Sequence, residues 1–452
     1  MEHVDVAVVG GGPAGSSAGE AAAAHGADAV VLEKGVPRAD RDGPGPDSTD
    51  AAGLLDYWFD IMGYDAEEFP EDVILSELSG AKFHGPNSQL VMESTGIESS
   101  HDGFGVTFHR ARFDDWLRER AVEAGADYRV GVSVTGVESD LSSSPRHTVS
   151  LADGEDVAAD YVVLADGPQR TVTGGTLDQF LPGGRTMADV MPSNEANHIA
   201  YQEHRRMPEE LFDSEYIEFW WGVMPGHTAY PWIFPNDPPV ARVGLTMPIG
   251  LDIDDYDARD WALLREEDTK IPRGSEYVER LIERQFPEYD LADFPLVEDR
   301  GKAKGTETYP ISSTRPIESP VEAGVAVTGG AMGATSAFHE GGDHVAVRTG
   351  KLAGRLAAEE SLERYNDEWH AAIGDEILRN VTFADIVGGW GPTDWDRAFD
   401  TAAGLLNADG IELAAAVRGG VSGLSLFGQY KWGKFRNRGG RYVQLREDDY
   451  AI

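Results

Sequence analysis

Gly10, Gly12 and Gly15, in GGGPAG, stand directly after the apolar run VDVAVV at 4–9 and spell G-x-G-x-x-G. The first glycine permits a sharp turn out of a strand. The second lets a pyrophosphate approach the backbone, and the third lets the following helix pack on the sheet. Pro13 and Ala14 open that helix, whose N-terminal N–H groups would face the phosphates. Glu33 ends a second apolar run, DAVVLE, 23 residues after Gly10, where a carboxylate accepts both ribose hydroxyls. A carboxylate repels a 2′-phosphate, so the spacing predicts the adenosine of FAD or NAD, not of NADP. A plain glycine turn would leave the strand, helix, second strand and terminal acid unexplained.

These residues need a βαβ unit at the N-terminus: strand 4–9, an Ala-rich helix over 13–25 and strand 28–33. A Pro-, Gly- and Asp-rich loop follows at 37–50. Residues 110–124 predict an amphipathic helix with Phe113, Leu117, Ala121 and Ala124 on one face. Strands are expected at 128–137, 147–151 and 160–165, the last ending in Asp166-Gly167. The strand-then-glycine pattern returns in VAVTGG at 325–330, and a helix is expected at 343–360. Between them, 190–300 is rich in aromatics, prolines and short alternating runs, which predicts a mostly antiparallel sheet with one helix near 274–286. Three separated strand–glycine pieces bracket an insertion. The expected fold is α/β: a discontinuous Rossmann-type nucleotide-binding domain, an inserted antiparallel-sheet substrate domain and a helical C-terminal region. The boundaries expected are 1–70 with 104–175 and 300–364 for the nucleotide domain, 71–103 with 176–299 for the insertion, and 365–452 for the helical region.

At this point the chain resembles a known family. DVAVVGGGPAGSSA with the later VVLEK is similar to the FAD-binding segment of flavoproteins with the p-hydroxybenzoate hydroxylase fold. Arg110 in HRARFDDWL, the ADGP turn at 165–168, and 325–354 with Gly329, Gly330, Gly333, Gly341 and Gly342 resemble that family's later flavin-contacting pieces. The resemblance implies that FAD is the cofactor and that Gly10, Gly12, Pro13, Ala14, Gly15, Glu33, Lys34, Arg41, Arg110, Asp166 and Gly167 also belong to its site. Within that superfamily, Tyr230-Pro-Trp232-Ile-Phe234-Pro235 followed by Val243-Gly244 looks like the Y-x-W-x-F-P…V-G pattern of geranylgeranyl reductases. This implies reduction of C=C bonds in an isoprenoid lipid, with Tyr230, Trp232 and Phe234 at the substrate. His339, in the loop expected over the flavin, is a candidate to donate a proton or to hydrogen-bond the flavin. A loop histidine is also consistent with simple solvation. Phe219, Trp220 and Trp221 are expected to be sheet core. The electron donor is not indicated by any motif.

The chain departs from the family at three places. Gly330 stands where an Asp is usual, Ala337 where a Pro is usual, and Arg41-Asp42-Gly43-Pro44-Gly45 where R-C-G-x-G is common. A flavin monooxygenase or halogenase of the same fold, or a divergent flavin-binding paralogue without reductase activity, therefore stays open.

Composition bounds the rest. The 452 residues contain no Cys, which excludes thiolate metal sites, Fe–S clusters and a cysteine nucleophile. His84, His101 and His109 lack metal-ligand spacing and are expected at the surface, and no metal site is expected. The formal charge is −41, spread along the chain, which disfavours nucleic acid and suits a salt-rich cytoplasm, as in a halophilic archaeon. No apolar run is long enough to span a bilayer. Between Glu412 and Glu447 there is no acid but seven basic residues, interleaved at 430–441 with Tyr430, Trp432 and Phe435. That pattern suits a peripheral contact with the inner membrane surface, or equally an intramolecular or dimer contact with acidic surface.

Overall fold

The computed structural model describes residues 1–37, 52–406 and 421–452. Most of the loop expected at 37–50, Arg41 included, and Arg418 lie outside the described residues. Strand Glu2–Val9 is central in a largely parallel sheet, between Ala29–Glu33 on one side and Val157–Leu164 on the other. Asp127–Val130 extends the sheet beyond Ala29–Glu33, and Val325–Val327 pairs in parallel with the last part of Val157–Leu164. Val6, Ala7 and Val8 are wholly buried, as expected for strands covered on both faces. The single strand expected at 128–137 is two: Gly131, at φ +70, turns the chain, and Val134–Ser139 instead forms an antiparallel ladder with His147–Leu151.

Helix Pro13–Ala24 crosses helix Asp343–Ala358 backbone to backbone. A Cβ on Gly350 or Gly354 would lie 2.0 Å from the carbonyl oxygens of Ala14 and Ala18, so only glycine permits this approach. The crossing brings the N-terminal phosphate loop and the residues before 343 to the same end of the sheet.

The second sheet runs in the order Thr306–Ser312, Asn197–Arg206, Val240–Pro248, Tyr230–Pro235, Tyr216–Trp220, Gly80–His84, Gln89–Met92. It is antiparallel except where Tyr216–Trp220 pairs with Gly80–His84. The boundary expected at 300 falls too early, because Thr306–Ser312 is zipped to Asn197–Arg206 in this inserted sheet. The boundary expected at 175 also moves: Leu177, Phe180, Met187 and Val190 pack in the core of the first sheet. Helices Tyr365–Val387, Pro392–Leu406 and Val421–Asn437 form the C-terminal region, but its end is not helical. Tyr442, Val443 and Leu445 return to the first core, and Leu445 bridges to Ile317. His84 and His101 are not free surface groups. His84 stacks on Trp220 and meets Glu218 at 2.8 Å, while His101 lies against Phe59 and meets Glu77 at 3.3 Å.

Candidate active site

Gly10 leaves the first strand at φ +95, and a Cβ there would meet the carbonyl oxygen of Ala165 at 2.5 Å. A Cβ on Gly12 would meet nothing within 4 Å, because this face opens into a cavity of about 1040 Å³. No side chain caps helix Pro13–Ala24, so its first N–H groups are left for an anion. An open glycine face beneath an uncapped helix start fits the pyrophosphate of FAD. Glu33 has a role the motif does not reveal. Its two oxygens accept the N–H groups of Gly11 and Gly35, each at 2.5 Å, which clamps both glycine segments. Tyr128, from the neighbouring strand, donates to the carbonyl of Gly11 at 2.8 Å and supports the loop from behind.

Along the cavity wall, Asp166 accepts the N–H groups of Val172 and Thr173 and the Thr173 hydroxyl, which fixes the turn at 165–168. Arg110 is held by Asp114 at 2.7 Å and Asp343 at 3.0 Å. At Gly330 a Cβ would press on Pro168 at 3.1 Å. Its carbonyl, with those of Pro168 and Ala331, accepts from the guanidinium of Arg170, which also donates to Asn197 and Ser312. Burial pushes Arg170 down to about 10, opposed by the charge of Asp166. Where the resemblance leads one to expect a carboxylate, the chain thus has a bare backbone braced by a buried cation.

Tyr230, Trp232 and Phe234 alternate along one strand and all line the same cavity. Phe219 and Trp221 line it too, which corrects the expectation that they are plain core. Trp220, between them, faces the opposite core against Val243 and Leu245. The strand's period of two carried this signal; counting aromatics did not. The far wall comes from the C-terminal helices, with Trp395 stacked on Trp221 at 5.1 Å and Phe383 and Phe399 beside it. Ordinary aromatic spacing in the sequence gave no hint of these residues.

His339 also lines the cavity. Its Nδ1 accepts the N–H of Gly341 at 3.2 Å and its carbonyl accepts the Tyr230 hydroxyl at 2.7 Å. Burial, then the neighbouring His344, pushes its pKa down to about 4. The ring is therefore neutral near pH 7, with its hydrogen on Nε2. Trp58 stacks on His344 at 4.1 Å, and His344 meets Glu376 at 2.7 Å. Burial alone would raise the Glu376 carboxyl, but the His344 hydrogen bond and nearby cations bring it to about 2.

The fold brings Gly12, Pro13, Ala14, Lys34, Arg110, Asp166, Gly167, Gly330, Gly341 and Gly342 to one cavity, together with His339, Tyr230, Trp232 and Phe234. Gly10, Gly15, Glu33, Gly329 and Gly333 stand behind its lining and shape the backbone there. Glu340, Trp58, Tyr128 and Arg170 were not foreseen from the sequence.

Comparison with known proteins agrees with the geometry. The FAD binding domain family matches residues 5–81. Digeranylgeranylglycerophospholipid reductase 2 of Methanopyrus kandleri is 26% identical over 399 residues, 82% of this chain and 83% of that protein. The digeranylgeranylglycerophospholipid reductase of Methanocaldococcus jannaschii is 26% identical over 428 residues, 92% of this chain and 94% of that protein. Among solved structures, a geranylgeranyl bacteriochlorophyll reductase-like protein from Thermoplasma acidophilum superposes with a TM-score of 0.68 at 22% identity, covering 92% of this chain and 96% of the other. A flavin-dependent brominase shares the fold at a TM-score of 0.57 and 18% identity, with 90% of each chain covered. The α/β flavoprotein fold and FAD as cofactor, both expected from the motifs, are borne out.

Proposed function

We propose that this FAD-dependent chain reduces isolated C=C bonds of geranylgeranyl chains in a membrane-lipid precursor. The observation that carries the reading is the single cavity that joins the Gly12 and Arg110 wall to the aromatic strand Tyr230–Pro235. An isoprenoid offers only CH groups and C=C bonds, so its site must be dry and must position the chain by shape. Tyr230, Trp232, Phe234, Phe219 and Trp221 supply such a wall, closed by Trp395 and Phe399. When bound and reduced, FAD supplies the hydride. Gly12, the start of helix Pro13–Ala24 and Lys34 would hold its phosphate end, with Glu33 fixing the loop, while Arg110, Asp166 and the 330 and 341–342 backbone would lie along its length. The aromatic walls exclude water and hold one alkene beside the cofactor. His339, neutral with Nε2–H, can hydrogen-bond there.

The test is anaerobic. The FAD-loaded protein is reduced and then mixed with a digeranylgeranyl glycerophospholipid or with O₂. Reoxidation by the lipid, with two hydrogens gained per bond, is expected. Reoxidation by O₂ alone, coupled to oxygenation or halogenation of another substrate, would select the rival chemistry.

The same reading includes a peripheral lipid contact at 430–441. Among the described residues no helix is long and apolar enough to cross a membrane. Trp432 and Phe435, 67% and 61% exposed, stack on the outer face of helix Val421–Asn437 at 5.8 Å. Tyr430 instead turns inward onto Phe383, and Arg436 pairs with Asp385 at 2.8 Å, so part of the basic run is engaged within the chain. Trp432→Ala with Phe435→Ala is expected to abolish co-sedimentation with anionic vesicles at high KCl; equal pelleting of variant and wild type would rule the contact out. A charge of −41 supports adaptation to salt, and a melting temperature that falls sharply from multimolar to millimolar KCl is the expected sign.

A further inference from the structure

Glu340 is a non-glycine residue in the left-handed region, at φ 58, on the wall of the cavity. Such a conformation persists only where the surroundings hold it. A buried carboxylate likewise needs partners. The inserted sheet supplies a close imidazole and one hydrogen bond. Nδ1 of His198 lies 2.5 Å from Oε1 of Glu340, and each side chain is only 2% exposed. The hydroxyl of Thr246 donates to Oε2 at 2.5 Å. Beyond His198 stands His227, its ring centroid 5.4 Å away at an interplanar angle of 75°. His227 is exposed to solvent. Three titratable groups therefore stand between the surface and a cavity whose substrate end is walled by Tyr230, Trp232 and Phe234. On the cavity side, Tyr230 lies close enough to Glu340 to feel its charge.

We propose that His227, His198 and Glu340 form a relay that carries protons from solvent to the cavity wall beside His339. The step it serves rests on the reading above. Saturating one C=C bond forms two C–H bonds. One takes a hydride, with both electrons, from reduced flavin; the other takes a proton. The relay gives up that proton toward the cavity and regains one from water at His227, so it is unchanged after a turnover. An imidazole accepts on one nitrogen and releases from the other, which suits His198 and His227 to successive transfers. The dry walls that position an isoprenoid also keep out the water that would otherwise supply the proton, and this gives a relay its purpose.

The experiment uses the FAD-loaded protein and His227→Ala, a surface change that leaves the buried pair in place, with Glu340→Gln as second variant. Proton uptake is followed with a pH-indicator dye while the flavin is photoreduced without lipid, and lipid-driven reoxidation is followed separately. In His227→Ala, proton uptake and lipid-driven reoxidation are both expected to slow at least about tenfold, the solvent deuterium effect to rise, and added imidazole to restore the rates. Glu340→Gln is expected to slow both without rescue by imidazole. Uptake at the wild-type rate in His227→Ala, or slow uptake that imidazole does not restore, would overturn the relay. If wild type takes up protons through His227 yet the lipid fails to reoxidise it, proton delivery stands and the reductase reading falls. If the lipid reoxidises wild type and His227→Ala equally fast, the reductase reading stands and the relay falls.

Discussion

The hydroxyl of Tyr230 donates a 2.7 Å hydrogen bond to the carbonyl oxygen of His339 and so ties the aromatic strand of the inserted sheet to the loop at 336–342. Removing the hydroxyl leaves a carbonyl without this partner in an enclosed site, at a cost of about 1–3 kcal/mol. Tyr230→Phe is expected to lose stability in that range in urea while keeping its full FAD content. No loss at all would mean the bond does not hold the loop.

Glu33 acts through the glycine loop, since both its oxygens accept backbone N–H groups. Each charge-assisted bond contributes about 1.5–3 kcal/mol. For Glu33→Ala, the FAD dissociation constant is expected to rise at least about tenfold in a fluorescence titration of apoprotein, and an unchanged constant would refute the clamp.

The helix crossing at Gly350 tolerates no side chain, because an added Cβ would sit 2.0 Å from the carbonyl oxygen of Ala14. Gly350→Ala should destabilise by about 1–3 kcal/mol or more through forced separation of the helices. Gly136→Ala, where a Cβ meets nothing within 4 Å, is the control and should change stability by about 0.5 kcal/mol or less. Equal melting temperatures for the two would contradict the close crossing.

His147 is 1% exposed, and burial, then the charge of Arg146, pushes its pKa down to about 4. The unfolded value is about 6.5, so on acidification the unfolded chain binds a proton before the folded one does. Stability is fully present above about pH 6.5 and is lost as pH falls toward about 4, by up to about 3 kcal/mol from this group. His147→Gln should show a smaller drop in urea stability between pH 7 and 4.5 than wild type.

Trp232 separates a cavity wall from a packed core. Truncating a core Trp costs about 3–5 kcal/mol. Because one face of Trp232 borders the cavity, Trp232→Ala is expected to cost less than that while lipid reduction falls by more than about tenfold. Unfolding at the full core cost, with activity tracking the folded fraction, would assign the ring to the core.

Much of the site was legible because short, local patterns encode it. Gly10, Gly12 and Gly15 fall within one strand–turn–helix, and Tyr230, Trp232 and Phe234 share a face by the period of a single strand. The same period would have placed Phe219 and Trp221 with them. The boundary at 300 was misplaced because pairing of Thr306–Ser312 with Asn197–Arg206 joins segments about a hundred residues apart, and no local pattern records such a partner.

The sequence by itself determined the phosphate-binding turn, the flavin fold and the aromatic strand, since each rests on residue type at fixed local spacing. Only the tertiary structure decided that Glu340 meets His198 and Thr246, that Arg170 braces Gly330, and that Trp395 and Phe399 close the cavity. Those relations join residues far apart in the chain. Their energies come from burial and from the pairing of buried polar groups, which exist only once the two sheets and the C-terminal helices have packed together.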